Sequence, residues 1–200
     1  MAKIYISNLH KWNASSENPK EKPKLEFADP LFKRRLSQIT RMTVQVLHDL
    51  LQEVPDAVSC KQVFVSFRGE IEREFTINRG LIEDSEILPA GFSLSVFNTP
   101  IAAATLSLGL KAGYSVIYPS KENFRSALLG AAAPVLCGSE KKLIFVYADE
   151  YVPDEYGELQ PENNSGRAFA CLISAEEVPG SAAIDLDNKV ISIDSITGVF

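Results

Sequence analysis

Apolar and polar positions alternate from Lys3 to Asn8 around Ile4 and Ile6, which predicts a strand. The polar stretch from His10 to Lys24, with two prolines, predicts a surface loop. Asp29-Pro30 then carries a helix start, an N-cap acid followed by proline at the first helical position. Leu36, Ile39, Thr43, Val46, Leu47, Leu50 and Val54 fall on one face of that helix, and Pro55 closes it. Val63 to Phe67 reads as a short buried strand ended by Gly69, and Glu70 to Ile82 as a helix. Leu88 to Gly91 reads as a turn, and Pro100 to Leu110, rich in alanine and leucine, as a buried helix. Ser115 to Tyr118 predicts a strand, Lys121 to Ala133 a helix, and Leu143 to Ala148 a strongly buried strand. An acidic loop follows from Asp149 to Gly166, then a strand from Ala168 to Ser174. Asp187-Asn188-Lys189 lies between alternating residues and predicts a terminal hairpin over 182–196. Strands alternating with helices imply an α/β domain with a mostly parallel sheet covered on both faces.

Composition narrows this picture. A chain of 200 residues, 46% hydrophobic and 23% charged, suits one globular domain over 1–200. A net charge of −6 argues against sequence-independent nucleic-acid binding and against an anionic membrane surface. No apolar run approaches the ~18 residues of a membrane span, and the N-terminus has no signal-peptide core. Three cysteines, Cys60, Cys137 and Cys171, without C-x-x-C spacing fit neither a disulfide framework nor a zinc cluster. The expectation is a cytoplasmic, reduced protein with no metal site and no cofactor.

Three segments carry a resemblance. Leu88-Pro89-Ala90-Gly91-Phe92-Ser93-Leu94-Ser95-Val96-Phe97-Asn98 is similar to the SPxxFSxSVHN segment of the beta-ketoacyl synthase N-terminal-like group. Arg34 to Met42 resembles the same group's RRxSxLTRL helix, and Val65 to Glu70 its SxxGE turn. The similarity covers most of 27–174. It implies a thiolase-like half-fold, a five-stranded, mostly parallel mixed sheet in the order 3-2-1-4-5 layered between helices. Members are described as chain-length-factor-like and accompany aryl-polyene, polyketide and type II fatty-acid systems. The sequence departs from the pattern at Phe97, where the group has histidine.

The resemblance also locates a deficit. Active condensing enzymes of this fold place a cysteine nucleophile on the turn after the third strand, at a helix start that favours the thiolate. Aligned by the strand, Ser120 occupies that place, so no catalytic residue is expected. The segment is not G-x-S-x-G, and the second half of the fold would have to supply activating residues. His10 and His48 lie in an early loop and on an amphipathic helix. The plain alternative is that Ser120 caps the next helix, a contribution of ~1 kcal/mol. Cys137 and Cys171 read as buried structural thiols. Asp149, Glu150, Asp154, Glu155 and Glu158 lack the spacing of a cation loop and read as solvated.

Two features point to partners. Lys33, Arg34, Arg35 and Arg41 form a basic cluster that could dock an acidic acyl carrier protein. In the thiolase fold the third strand lies at a sheet edge and pairs across a dimer axis, which makes Phe97, Asn98, Ser115, Val116, Ile117 and Tyr118 the candidate interface. The expected function is a non-catalytic subunit that partners a ketosynthase, as a homo- or heterodimer. The alternatives are a small acyltransferase or thioesterase using Ser120, or a self-associating structural module.

Overall fold

A computed structural model describes residues 2–86 and 89–199. Among them six strands form one sheet in the order β3-β2-β4-β5-β1-β6. They are β1 (Lys3–Asn13), β2 (Gln62–Val65), β3 (Tyr114–Ile117), β4 (Lys142–Asp149), β5 (Arg167–Ser174) and β6 (Ala182–Asp185). Only the β3–β2 and β2–β4 pairs are parallel; β4–β5, β5–β1 and β1–β6 are antiparallel. The expected five strands are thus six, and the sheet is not mostly parallel. The order 3-2-1-4-5 also changes, because β4 rather than β1 lies beside β2. The two strands differ in kind: β4 is apolar on both faces, as a central strand requires, whereas only Ile4 and Ile6 of β1 are buried.

Side-chain alternation splits the core into two layers. Leu143, Phe145 and Tyr147 of β4 face helix α6 (Phe124–Leu136), together with Val63, Val65, Phe169 and Cys171. Ile144, Val146 and Ala148 face helix α2 (Gln38–Glu53) and helix α5 (Thr99–Leu108), together with Phe64, Ala170 and Leu172. Each aliphatic or aromatic side chain so buried stabilises the fold by roughly 1.5–3 kcal/mol.

The helix predicted from Asp29-Pro30 is two helices. Asp29 caps the single turn α1 (Pro30–Lys33), and Ser37 restarts the chain by capping α2 through the Thr40 amide. Ile39, Thr43, Val46, Leu47 and Leu50 are buried along α2 as predicted, and Leu36 and Val54 pack partly against the same layer. The loop predicted from His10 begins later, because β1 continues to Asn13 past a bulge between Ser7 and His10 where Asn8 is left-handed. Leu88 lies outside the described residues; Pro89–Phe92 form a one-turn helix, α4, rather than a turn. Helix α5 buries Thr99, Pro100, Ile101 and Ala104 but leaves Leu106 83% exposed, so it is a half-buried helix. No hairpin forms over 182–196: β6 pairs with β1, and Ser192 caps a short helix, α7 (Ile193–Thr197), through a capping box. Pairing with a strand almost the whole chain away cannot be seen in local alternation.

Candidate functional site

The parallel register sets Val65 of β2 opposite Ile117 of β3 and Tyr147 of β4. The C-terminal ends of the three strands therefore lie side by side, where α/β sheets place their sites. From β2 comes the turn Ser66 to Glu70, from β3 the turn Tyr118 to Glu122, and from β4 the pair Asp149 and Glu150.

Ser66 organises the first turn. Its hydroxyl accepts from the Gly69 amide at 2.8 Å and donates to Asp149 Oδ1 at 2.7 Å. The same oxygen of Asp149 accepts from the amides of Phe67 (3.0 Å) and Arg68 (3.2 Å), while Tyr147 donates its hydroxyl to Oδ2 at 2.5 Å. Burial pushes the Asp149 carboxyl up; the Tyr147 and Ser66 hydroxyls, the Arg68 guanidinium and the Phe67 amide pull it back. Arg68 reaches Asp149 Oδ2 at 3.6 Å and also binds Glu122, tying the turn after β3 to the sheet. In that turn Lys121 and Glu122 both hold left-handed backbone (φ 52° and 54°), a conformation uncommon outside glycine.

Glu70 and Glu150 form a second buried group. Glu70 accepts from Ser37 Oγ at 2.7 Å, Thr40 Oγ1 at 2.5 Å and Arg73 Nε at 3.1 Å. Glu150 accepts from the amides of Ile39 (3.2 Å) and Glu72 (3.1 Å), at the first turns of α2 and of helix α3 (Ile71–Glu83). The expectation of a solvated acidic run fails here: Asp149 and Glu150 are buried, held by hydroxyls and helix amides. The sequence signal that could have found them is an acid pair directly after an apolar strand. Asp154, also in that run, does stay exposed.

Ser120 is exposed, and its hydroxyl makes no hydrogen bond among the described residues. It opens a short 3-10 turn, and Asn123 caps α6 instead, accepting from the Ser126 amide at 3.0 Å. Glu122, the acid nearest in sequence, is tied to Arg68. His10 lies on β1, four strand positions from β3, roughly 19 Å away. It pairs with Glu53 at 2.5 Å, whose carboxylate also accepts from Asn8. His48 is stacked on Phe27 at 3.5 Å. The arrangement brings no histidine to Ser120.

Cys171 and Cys60 are both buried, and burial raises both thiols. Cys137 is exposed at the end of α6, contrary to expectation, and hydrogen bonding with Ser139 lowers its thiol.

Of the six candidate interface residues, Ser115, Val116, Ile117 and Tyr118 lie on or just after β3, which occupies one edge of the sheet. Phe97 stacks edgewise on Tyr118 at 5.0 Å, and Asn98 donates to the Tyr114 hydroxyl at 3.0 Å, so the structure brings all six together. The four basic residues do not share one helix. Lys33 and Arg34 end α1, Arg35 follows, and Arg41 on α2 is half-buried, donating to the carbonyls of Pro23 and Lys33. Arg34 and Arg35 line a cleft of about 1450 Å³ walled by α3 and α5, with Arg73, Leu36, Val96 and Leu106. No group of three or more potential metal ligands occurs among the described residues, and no described helix is long and apolar enough to cross a membrane.

Comparison with known proteins places this geometry. A ketosynthase (ApeO) in complex with its chain length factor (ApeC) from Xenorhabdus doucetiae matches with a TM-score of 0.72 at 22% identity, over 86% of this chain and 79% of that one. The ishigamide ketosynthase/chain length factor matches with a TM-score of 0.59 at 14% identity, over 72% of this chain and 45% of that one. A type II PKS acyl-carrier protein in complex with its ketosynthase (AntDE:AntF) matches with a TM-score of 0.62 at 10% identity, over 86% of this chain and 63% of that one. The chain thus spans less than two thirds of the last two. At these identities the likeness is one of fold, and it is the thiolase-like fold expected from sequence. No curated protein matches the sequence. The model of the beta-ketoacyl synthase, N-terminal domain, matches residues 9–194, nearly the whole sheet and its helices, and the chain belongs to that family.

Proposed function

We propose that this chain is a non-catalytic, chain-length-factor-like subunit that pairs with a ketosynthase in fatty-acid, polyketide or aryl-polyene type biosynthesis. The observation that carries the reading is the turn after β3: it holds Ser120 where the family resemblance places cysteine, and the Ser120 hydroxyl has no hydrogen-bond partner among the described residues. Serine without a base is a weak nucleophile. A chain of this family that keeps the fold and loses the nucleophile serves as a partner that shapes the acyl cavity. Two further observations support pairing. Among the described residues β3 is the last strand on its side of the sheet, and Phe97, Asn98, Tyr114 and Tyr118 make an aromatic and amide surface beside it. Arg34 and Arg35, both exposed beside an apolar cleft, are the candidate contacts for an acidic carrier protein; Lys33 and Arg41 contribute less, Arg41 because its guanidinium is occupied.

The test is co-expression of the tagged chain with a complete ketosynthase from the same source, followed by size-exclusion chromatography and a condensation assay. The expected result is a stable one-to-one complex that condenses, with neither activity lost in Ser120→Ala. A chain that condenses or hydrolyses acyl thioesters alone, and stops doing so in Ser120→Ala, would overturn the reading in favour of a serine acyltransferase or thioesterase. A homodimer that excludes ketosynthase would instead favour a self-associating module.

A further inference from the structure

Helix α3 is attached to the body in an unusual way. It has no buried residue among its thirteen, so burial of apolar side chains does little to hold it. Its root is held by polar groups. Glu70, the residue before it, is fully buried and fastened to Ser37 and Thr40 of the α2 start; Arg73, one turn in, closes on Glu70 and on the Arg35 carbonyl. Glu150 from the end of β4 then bridges the two helix starts through the Ile39 and Glu72 amides. Two buried carboxylates therefore flank one helix start, and one arginine stands beside them. Along α3 this helix face also carries Arg73, Thr76 and Arg79, which wall the cleft.

We propose that Glu150 is a proton-held clasp between the starts of α2 and α3, closed while its carboxyl carries a proton and loosened when it is charged near the buried Glu70, so that α3 is released from the cleft at alkaline pH. This goes beyond the pairing function and stands whether or not that reading holds. Two adjacent anions removed from water repel each other strongly, and one of them takes up a proton instead. The groups facing Glu150 give the sign. From the residue before α3 and from its first turn come the charges of Glu70 and Glu72; from α2 and α3 come the two helix-start amides, which favour the anion; burial outweighs the amides. Arg73 is engaged with Glu70. Glu74, on the same helix, is also raised by partial burial and by Glu70. The balance lifts the Glu150 carboxyl from 4.5 to about 8. With the folded value raised, the stabilisation is complete below 4.5 and is lost as pH rises through about 8. Loss at that step acts on α3, a helix with no fully buried side chain of its own.

Hydrogen exchange measured on the full chain, corrected for intrinsic rates, from about pH 6.5 to about pH 9.5 tests this. Amides of residues 72–83 are expected to lose about tenfold in protection across that range while those of α2 and β4 hold theirs, one proton giving a tenfold change per pH unit at most. Glu150→Gln, neutral at every pH, should flatten the profile. Glu70→Gln should weaken it, by removing one of the charges that add to burial in raising Glu150. Constant α3 protection in the unmodified chain would overturn the proposal, as would an undiminished pH dependence in either variant. Should either variant fail to fold, the unmodified chain's own profile decides.

Discussion

Phe97 rests its ring against Gly69, so closely that a methyl group on Gly69 would come within 2.7 Å of Phe97 Cδ2. The contact joins the turn after β2 to the edge strand β3, because the same ring stacks on Tyr118. Gly69 is also left-handed (φ +62°), so both the space and the backbone demand glycine.

Gly69→Ala is therefore expected to cost about 2–3 kcal/mol, part from the backbone and part from the displaced ring. A thermal melt measures the loss. In the double variant Gly69→Ala, Phe97→Ala the steric part should vanish, giving a non-additive cycle. If the proposed pairing with a ketosynthase holds, both single variants should weaken it, read as an earlier loss of complex on dilution.

Asp149→Asn keeps the shape of the buried carboxylate but puts an N–H₂ where one oxygen accepted. Its oxygens face only donors: Ser66, two amides, Tyr147 and Arg68. The expected loss is about 2–4 kcal/mol in urea unfolding, against about 1 kcal/mol for Tyr147→Phe. Equal losses would contradict the hub role of Asp149.

A disulfide exchange reagent should find one fast thiol and two slow ones in the native chain. Cys137 is exposed and lowered by Ser139, whereas Cys60 and Cys171 are raised by burial. Cys137→Ser should remove the fast phase and leave stability unchanged.

Glu53 is held below its usual carboxyl range by hydrogen bonds from Asn8 and His10. With the folded value depressed, its contribution is present above 4.5 and fades as pH falls through the folded value. The group is half exposed, so the effect is small. Glu53→Gln should lower stability at neutral pH and leave it unchanged in acid, measured as urea midpoints.

Gln38 clasps three segments at once: its amide nitrogen donates to the carbonyls of Pro19 and Glu21, and its oxygen accepts from the Tyr151 amide. A methyl group at Gly166 would lie 2.3 Å from that nitrogen. Gly166→Ala should cost about 2–3 kcal/mol and raise proteolysis within 14–24.

Much of this was legible in the residues. The face of α2 showed itself through its period, the strand Leu143–Ala148 through its unbroken apolar run, and the edge position of Ser115–Tyr118 came through the family resemblance. The turn from Ser66 to Glu70 was visible as a motif, but its purpose was not, since Ser66 meets Asp149 only after β2 and β4 lie in parallel register. Acids in sequence look solvated, and nothing local reveals that Glu150 ends between two helix starts. The place of β1 was hidden for the same reason, as its partners are β5 and β6.

That pairing sets an order of events during synthesis. Lys3 to Asn13 leaves the ribosome before the other five described strands, yet its hydrogen-bonding partners are residues 167–174 and 182–185. The parallel half of the sheet, β3-β2-β4, has all its residues by Asp149 and can assemble while β1 is still unpaired. Of the six described strands the earliest made is among the last to be placed, and a chain that stops before residue 167 leaves Ile4 and Ile6 without the neighbouring strand that orders them.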